Sequence, residues 1–411
     1  MLGPHRRDFL KATLGGAAGF ALAPGVSFAA PRLGAPFPVA VIGCGRQARA
    51  LLAELAKFED VVVVALCDNQ DSRLSSGLRR VRDAKGYATS KELYAAHPEV
   101  QAVFVATPTH THREVAGAAL EAGRHVYCEA PLASTVADAL ALRDQARASD
   151  RVFQVGSLGR VDPIYKLAYK FFRTGSIGDA VSYRAQSHRK NKWRVPASDA
   201  ASDKALNWKL DPEVSLGLVG ELGVHQLDVI HWFAGAYPKS VRGLGALRLH
   251  EDGRELPDTE QCLFEFEDGS ACFFEATLAN SYGGDYETLH GTLGAMKLAW
   301  NAGWMFKEPD APTQGWEVYA NRQSFHNEQG ITLIADATKL AKQDKLKDGV
   351  GLEHPPLYYG VADFLKSCAE GTGVECDAAE GARAVAVVAA AAQALREGGS
   401  VSVDPTPFEE A

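Results

Sequence analysis

The stretch Pro38-Val-Ala-Val-Ile-Gly-Cys-Gly-Arg-Gln-Ala48 decides the fold of this chain. An apolar run stops at Gly43, Gly45 follows after one residue, and Ala48 occupies a third small position. Gly43 permits a tight turn, Gly45 lets a pyrophosphate approach the backbone, and Ala48 lets the next helix pack on its strand. The pattern predicts the start of a dinucleotide-binding βαβ unit. Its candidate cofactor contacts are Gly43, Gly45, Arg46 and Gln47.

A second predicted strand, residues 60–68, ends in Asp68, at the spacing where an acid binds the ribose hydroxyls of a dinucleotide. A carboxylate repels a 2′-phosphate, so Asp68 favours NAD over NADP. Arg73 lies close enough in sequence to weaken that preference. We therefore expect NAD as the cofactor, with NADP possible.

Predicted strands and helices alternate as far as residue 160, which indicates right-handed crossovers and a parallel sheet. Residues 36–160 are therefore predicted to form a Rossmann domain. Ligands of such sheets lie at the carboxyl ends of the strands. This adds Thr107, Pro108 and Glu129 to the candidate cofactor contacts.

The pattern changes after residue 160 to apolar alternation with hairpin-like turns, of which Glu267-Asp268-Gly269-Ser270 is the strongest. Residues 161–405 are therefore predicted to form a second domain of α+β type with a mostly antiparallel sheet flanked by helices. The Ala- and Val-rich segment 377–397 is predicted to be a helix that packs on this sheet or on the first domain.

Composition excludes several functions. The chain has 411 residues and a net charge of -8, so no basic surplus is available for nucleic acid or for an anionic membrane surface. Its 7 cysteines form no C-x-x-C pair, and we expect buried free thiols. His110 and His112 form an H-x-H pair without an evident third ligand, so no metal site is expected.

The N-terminus carries Arg6-Arg7-Asp8-Phe9-Leu10-Lys11, then a short, weakly apolar stretch and the small-x-small site Ser27-Phe28-Ala29. These features predict a twin-arginine signal peptide over residues 1–30, too short and too broken by Pro24 to span a membrane. The expected partner is the twin-arginine export machinery, and the protein is expected to be periplasmic or otherwise exported. That route carries folded proteins, so a cofactor acquired in the cytoplasm would be held tightly.

These motifs together resemble the Gfo/Idh/MocA oxidoreductase family. The resemblance covers residues 37–402 and rests on five segments, 41–45, 106–112, 123–131, 175–178 and 220–228. It implies a Rossmann domain, a C-terminal domain with an open antiparallel sheet, and hydride transfer at a hydroxyl carbon of a sugar or polyol. It also implies that the loop of His112 faces the nicotinamide and that the protein is a homo-oligomer, dimer or tetramer, through the open sheet.

Proton transfer is predicted in the segment Gly220–Asp228. Glu221 and His225 are four residues apart and would share a helix face, with Asp228 near it. A neighbouring carboxylate raises the basicity of an imidazole. The resemblance implies that His225 contacts the substrate hydroxyl, with Glu221 at a position where Asp is usual. Catalysis is therefore assigned to His225 and Glu221.

This chain departs from the family pattern in one loop, where a side chain that takes part in the chemistry is missing. The family's Glu-Lys-Pro loop, whose lysine binds the reacting hydroxyl, reads Glu129-Ala130-Pro131 here. Either His225 and Glu221 act alone or another residue replaces the lysine; the candidates are Lys190, Lys192 and Tyr165. The predicted substrate contacts are Arg160, Tyr165, Lys192, Trp193 and Asp228, and Trp208 is a further candidate for the cleft.

Three functions remain open from the sequence. The first is an exported oxidoreductase that acts on a sugar, glycoside or polyol. The second is a redox-neutral glycoside hydrolase or lyase that uses bound NAD transiently, an option that Ala130 favours. The third is a binding protein that contains NAD and does not catalyse a reaction.

Overall fold

The computed structural model describes residues 31, 33–299, 302–313, 322–325, 328–333 and 352–409. The predicted signal peptide, residues 1–30, lies outside the described residues. In the described part the chain forms two sheets, a parallel one followed by a mostly antiparallel one. The predicted fold class is confirmed.

The first sheet has six parallel strands in the order β3-β2-β1-β4-β5-β6. Its central strands are apolar along their whole length because helices cover both faces. The strands are β1 (Phe37–Ile42), β2 (Val61–Cys67), β3 (Lys85–Tyr87), β4 (Ala102–Val105), β5 (His125–Cys128) and β6 (Phe153–Val155). The helices among and after them are α1 (Arg46–Leu55), α2 (Asp71–Leu78), α3 (Ser90–Ala96), α4 (His112–Glu121), α5 (Val136–Arg147), α6 (Leu158–Val161) and α7 (Pro163–Arg173).

The second sheet has ten strands in the order β14-β15-β13-β12-β11-β7-β10-β9-β8-β16. All neighbours are antiparallel except β7 and β10. The strands are β7 (Ala180–His188), β8 (Ser240–Ala246), β9 (Thr259–Glu265), β10 (Ala271–Thr277), β11 (Asp285–Gly291), β12 (Gly294–Ala299), β13 (Ala302–Lys307), β14 (Arg322–Phe325), β15 (Glu328–Leu333) and β16 (Ser400–Ser402).

Three helices connect β7 to β8 and carry the predicted catalytic segment. They are α8 (Ala200–Leu206), α9 (Gly217–Glu221) and α10 (Gly223–Ala234). Helix α10 packs closely on the sheet, since a Cβ at Gly223 would lie 2.6 Å from the ring of Phe274. Nearly all of α10 is buried, and His225 is one of its few partly exposed residues. The packing therefore leaves the His225 side chain at the rim of the core.

The two C-terminal helices, α11 (Pro356–Glu370) and α12 (Ala378–Glu397), pack on the first domain. Phe364 of α11 joins the core around β1 and contacts the ring of Phe104. Helix α12 buries Val385 in the first domain's core and Val388 in the second's. This part of the predicted second domain thus completes the core of the first.

Helix α12 is also the one described helix that is long and apolar enough to cross a membrane, with a mean hydropathy of 1.2. Because 67% of the apolar stretch of this helix is buried inside the protein, its apolar surface packs in the two cores. All seven cysteines are free thiols, and six of them are buried, as the sequence predicts.

Candidate active site

The turn after β1 has the geometry that a dinucleotide requires. Gly43 has a φ of +89°, and a Cβ there would lie 2.6 Å from the carbonyl oxygen of Ala106. A Cβ at Gly45 would approach only a guanidinium nitrogen of Arg73, at 4.0 Å. Helix α1 begins at Arg46 without a side-chain cap. Its N–H groups, at a helix N-terminus beside an open glycine, fit a pyrophosphate.

The Asp68 carboxylate is fixed at this turn by two backbone groups. One oxygen accepts the N–H of Cys44 at 2.7 Å and the other accepts the N–H of Gln70 at 2.8 Å. Each carboxylate oxygen has a further lone pair, which a ribose hydroxyl can use. The Arg73 guanidinium reaches the same turn and supplies a positive charge near Gly45.

Glu129 joins the cofactor turn to the loop after β5. It accepts a hydrogen bond from the side chain of Gln47 at 3.0 Å. Burial raises the pKa of Glu129 to about 7, against the opposing effects of that hydrogen bond and of the positive charge of Lys209. Thus Glu129, which contacts the first domain's cofactor turn, lies within electrostatic reach of a lysine from the second domain.

His112 has a structural place that the sequence does not predict. It is buried, and its two ring nitrogens lie 2.9 Å from the carbonyl oxygen of Pro131 and 3.0 Å from that of Thr107. The ring therefore connects the loops after β4 and β5. Because both nitrogens face backbone carbonyls, the structure assigns the ring a role in holding these loops, and its contact with the cofactor stays a prediction. Thr107 itself lies against Gly43, as its backbone nitrogen would be 2.8 Å from a Cβ there.

A buried carboxylate from the second sheet positions the short helix α9. Glu260 of β9 accepts the N–H groups of Leu218 and Val219 at 3.1 and 2.7 Å. These are N–H groups that a helix N-terminus leaves without intrahelical partners. Burial raises the pKa of Glu260 to about 7 despite these hydrogen bonds. Because α9 ends at Glu221, Glu260 fixes the position of that side chain.

Glu221 joins the two domains. Thr109, from the loop after β4, donates its hydroxyl to one Glu221 oxygen at 3.0 Å. The Nζ of Lys209 lies 3.0 Å from the other oxygen, and the Glu221 side chain is 3% exposed. The prediction pairs Glu221 with His225 as catalytic groups. The structure instead gives both of its oxygens to Thr109 and Lys209, because a break at Leu222 separates α9 from α10.

His225 lies on α10, four residues after Glu221. Burial, together with the positive charges of Arg189 and Lys209, lowers its pKa to about 4. The carboxylates of Asp228 and Asp285 oppose this shift without overcoming it. A neutral imidazole at neutral pH can accept a proton from a hydroxyl.

Lys209 also belongs to this group of side chains, and the sequence pattern does not predict it. It lies in a single 3-10 turn, Trp208–Leu210, with its Nζ 5.1 Å from the ring centre of Trp193 and 5.2 Å from that of Trp208. Trp208 also meets the ring of His110 edge-on at 5.7 Å. The available signal was the juxtaposition of Trp208 and Lys209 in polar sequence shortly before α9.

Trp193, a predicted substrate contact, is held in an unusual conformation at this cleft. Its φ is +57°, which lies in the left-handed region that a bulky residue rarely adopts. Its backbone N–H bonds to the side chain of Asn191 at 2.9 Å. Strain of this kind persists where surrounding contacts impose it, often at ligand sites.

Three other predicted substrate residues are bonded to side chains in the protein interior. Arg160 pairs with Asp228 at 2.9 Å and with Glu380 at 2.7 Å, and Arg160 and Asp228 are 8% and 1% exposed. Tyr165 is fully buried and donates its hydroxyl to Glu287 at 2.6 Å. Their predicted substrate contact therefore needs correction, since sequence spacing does not reveal that their partners lie in the interior.

Two lysines are predicted as possible replacements for the lysine missing at Ala130. Lys190 and Lys192 are exposed, and the backbone carbonyl of Lys192 accepts a hydrogen bond from Arg254 at 2.6 Å. Asp228, His231 and Glu380 have ligand atoms within 4.8 Å of one another, the arrangement of a metal site. The Arg160 guanidinium donates to Asp228 and Glu380 there, so a cation already occupies this cluster.

Comparison with known families identifies both halves of the chain. Residues 37–157 match the oxidoreductase family's NAD-binding Rossmann fold, and residues 172–403 match the same family's C-terminal alpha/beta domain. The chain belongs to the Gfo/Idh/MocA oxidoreductase family. The NAD-binding fold agrees with the open glycine turn and the fixed Asp68.

Relatives of this chain include sugar and polyol dehydrogenases. It is 28% identical over 223 residues to a levoglucosan dehydrogenase of Pseudarthrobacter phenanthrenivorans, a match of 48% of this chain and 55% of that protein. It is 25% identical to a myo-inositol 2-dehydrogenase of Thermotoga maritima, over 60% of this chain and 70% of that one. The chain thus spans only about half the length of the first of these relatives.

Solved structures share the whole fold. A levoglucosan dehydrogenase in complex with NADH and L-sorbose superimposes with a TM-score of 0.72 at 22% identity, over 90% of this chain and 99% of that one. An aldose-aldose oxidoreductase of Caulobacter crescentus, complexed with glycerol, superimposes with a TM-score of 0.68 at 18% identity, over 89% and 99% of the two chains. At these identities the likeness establishes the fold.

Proposed function

We propose that this protein is an NAD-dependent oxidoreductase that transfers a hydride between the nicotinamide and a hydroxyl or keto carbon of a sugar, glycoside or polyol. The observation that carries the proposal is His225, a partly exposed imidazole with a lowered pKa in the same cleft as the cofactor turn. The link runs from Gln47 through Glu129 to Lys209, whose charge acts on His225. The named activities of the relatives agree with this substrate class.

The proposed chemistry needs little from the protein beyond position and charge. The nicotinamide supplies the acceptor for the hydride that leaves the carbinol carbon. His225 takes the hydroxyl proton as the carbonyl double bond forms, and returns it in the reverse direction. Trp193 and Trp208 offer apolar ring faces, which suit the C–H faces of a sugar or cyclic polyol.

NAD is the expected cofactor, and the positive charge of Arg73 makes NADP binding possible as well. The Asp68 carboxylate would accept ribose hydroxyls and repel a 2′-phosphate. The Arg73 guanidinium beside Gly45 would attract that phosphate. We therefore expect both nucleotides to bind, with NAD preferred.

Export and tight cofactor binding belong to the same proposal. The twin-arginine motif over residues 1–30 supports a periplasmic protein that folds around its cofactor before export. Changing Arg6 and Arg7 to Lys should retain the protein in the cytoplasm. Periplasmic fractions that contain as much of this variant as of the original chain would contradict the signal.

We also propose assembly of a homo-oligomer, dimer or tetramer, through the outer face of the second sheet. Leu244 and Leu263 on neighbouring strands are 71% and 40% exposed, and Val181 is 53% exposed. Exposed aliphatic side chains of this kind support a protein contact. Light scattering should give a mass above that of one chain, and Leu244→Glu should lower it; a monomeric original chain would contradict the proposal.

The experiment that tests the function offers the purified protein levoglucosan, myo-inositol, aldoses and aryl glycosides, and follows the near-ultraviolet absorbance of NADH. We expect NADH to appear with at least one polyol or sugar, and His225→Asn to lower kcat/KM about 100- to 10,000-fold with cofactor content unchanged. Free aglycone without lasting NADH would indicate the redox-neutral hydrolase or lyase. Binding of NAD without any turnover would indicate the non-catalytic protein.

A further inference from the structure

The loop after β5 provides no charged group at its central position. Ala130 carries only a methyl group and packs against apolar side chains. A hydroxyl that gives up its proton benefits from a positive donor at its oxygen, since such a donor stabilises the developing negative charge. The first domain's loop cannot supply this donor.

The second domain supplies an amine at the same cleft. The Nζ of Lys209 lies 3.0 Å from Glu221 and stands near the faces of two tryptophan rings, and its side chain is 37% exposed. An ammonium has three N–H donors, and Glu221 accepts from one direction only. The amine is therefore oriented by its neighbours, while more than a third of the side chain stays exposed and can meet a ligand.

The charge of Lys209 acts on both sides of the cleft. It opposes the raised pKa of Glu129, on the loop that contains Ala130, and it contributes to the lowered pKa of His225. Lys209 is therefore within electrostatic reach of both groups. Its partner Glu221 also accepts the hydroxyl of Thr109, on the loop after β4 of the cofactor domain, so the contacts place the amine where the two domains meet.

We propose that Lys209 is a catalytic residue that donates a hydrogen bond to the reacting hydroxyl oxygen, in the role that Ala130 cannot fill. As the hydroxyl proton passes to His225 and the hydride leaves for the nicotinamide, the ammonium stays protonated and stabilises the developing alkoxide. Glu221 is then a positioning residue, because it holds the amine through one oxygen and the Thr109 hydroxyl through the other. This assignment rests on the proposed function.

The test compares Lys209→Met with Lys204→Met. Methionine keeps the length of lysine without the charge, and Lys204 is a nearby, 70% exposed lysine with ion pairs to Asp211 and Glu213. With myo-inositol or levoglucosan, whichever is the better substrate, we expect Lys209→Met to lower kcat about 100-fold or more with bound NAD unchanged. Lys204→Met should stay within about twofold of the original chain.

A second measurement does not depend on catalytic turnover. The titration of His225, followed by NMR, should move to higher pH in Lys209→Met and stay in place in Lys204→Met. Should Lys209→Met fail to fold, Lys209→Gln gives the same comparison, since the amide still donates to Glu221. An unchanged kcat, or an unchanged His225 titration, overturns the assignment of Lys209.

The two proposals fail in different ways. If the original chain reduces NAD with none of the sugars and polyols, the proposed function fails, and the His225 titration still decides whether the Lys209 amine shares the cleft. If the original chain is active and Lys209→Met is equally active, the function stands and Lys209 has no catalytic role.

Discussion

At the scale of single residues, the site depends on burial rather than on unusual residue types. His225, Glu129 and Glu260 are ordinary titratable side chains whose pKa values are shifted chiefly by desolvation. The carboxylates keep protons more readily than in water, and the imidazole loses its proton more readily. At neutral pH the site thus holds a neutral imidazole within electrostatic reach of the Lys209 ammonium.

The lowered pKa of His225 predicts the acid side of the pH profile. Because the imidazole is active when neutral, kcat/KM should fall only as pH approaches about 4, instead of near the usual value of 6.5. Arg189 and Lys209 face His225 with positive charge, and Asp228 and Asp285 with negative charge. An acid limb centred near pH 6.5 would show that His225 is solvated or that it is not the base.

Glu287 provides a test of desolvation that is independent of catalysis. Burial raises its pKa to about 8, so the folded state holds a proton that the unfolded state releases above about pH 4.5. Its contribution to stability therefore falls as pH rises from about 4.5 to 8. Glu287→Gln, which still accepts from Tyr165, should gain about 2 kcal/mol of unfolding free energy between pH 5 and pH 8 relative to the original chain.

Chemical denaturation at the two pH values measures this difference. The matched control is Glu267→Gln, on the exposed turn between β9 and β10, where the side chain is 82% exposed. It should show no pH-dependent gain. A Glu287→Gln variant that behaves like this control would mean that the Glu287 carboxyl is not desolvated.

At the scale of elements, two glycines of one turn have separable functions. An alanine at position 43 would have to adopt a positive φ, and its Cβ would clash with the Ala106 carbonyl. Gly43→Ala should therefore destabilise the fold by about 1–3 kcal/mol. Alanine at Gly45 meets only the Arg73 guanidinium at 4.0 Å. Gly45→Ala should therefore keep the thermal midpoint within about 2 °C, and bind NAD about tenfold more weakly or worse, because its Cβ would lie where the pyrophosphate approaches.

Calorimetric titration of nucleotide-free protein, together with thermal unfolding, separates the two effects. Gly373→Ala is the control, since a Cβ there meets nothing within 4 Å. Normal NAD affinity in a folded Gly45→Ala protein would contradict the assigned cofactor turn.

The sequence predicted elements better than it predicted their contacts. The glycine spacing of residues 43–48 and the acid at Asp68 act through local backbone geometry, so the sequence alone predicts the cofactor turn. The sequence does not predict the contact of Lys209 with Glu221, because that contact depends on how a loop folds back on α9. Arg160 and Tyr165 were misplaced for the same reason, since their partners Glu380 and Glu287 are more than a hundred residues away in sequence.

At the scale of the whole molecule, a buried ionic network joins the two domains. Arg160 follows the last strand of the first sheet, Asp228 lies on α10, and Glu380 lies on α12. Arg160 donates to both carboxylates, and His231 lies 3.3 Å from Glu380. Such a network fixes how the cofactor domain meets the helix that carries His225.

Replacement of Arg160 should lower the free energy of unfolding. Arg160→Leu leaves Asp228 buried without its cation, so we expect a loss of about 3–5 kcal/mol of unfolding free energy. Lys366→Ala, which removes an exposed ion pair with Glu370, should cost about 0.5 kcal/mol or less. A loss in Arg160→Leu no larger than in this control would mean that the network does not hold the domains together.

The most direct test of the central claim follows the hydride itself. The protein loaded with NAD is incubated with levoglucosan and myo-inositol deuterated at their carbinol carbons, and the released nucleotide is analysed by mass spectrometry. We expect NADH that carries one deuterium on the nicotinamide ring with at least one substrate, and none in His225→Asn over the same time. NAD recovered without deuterium or reduction, from protein that retains its cofactor, would contradict the account.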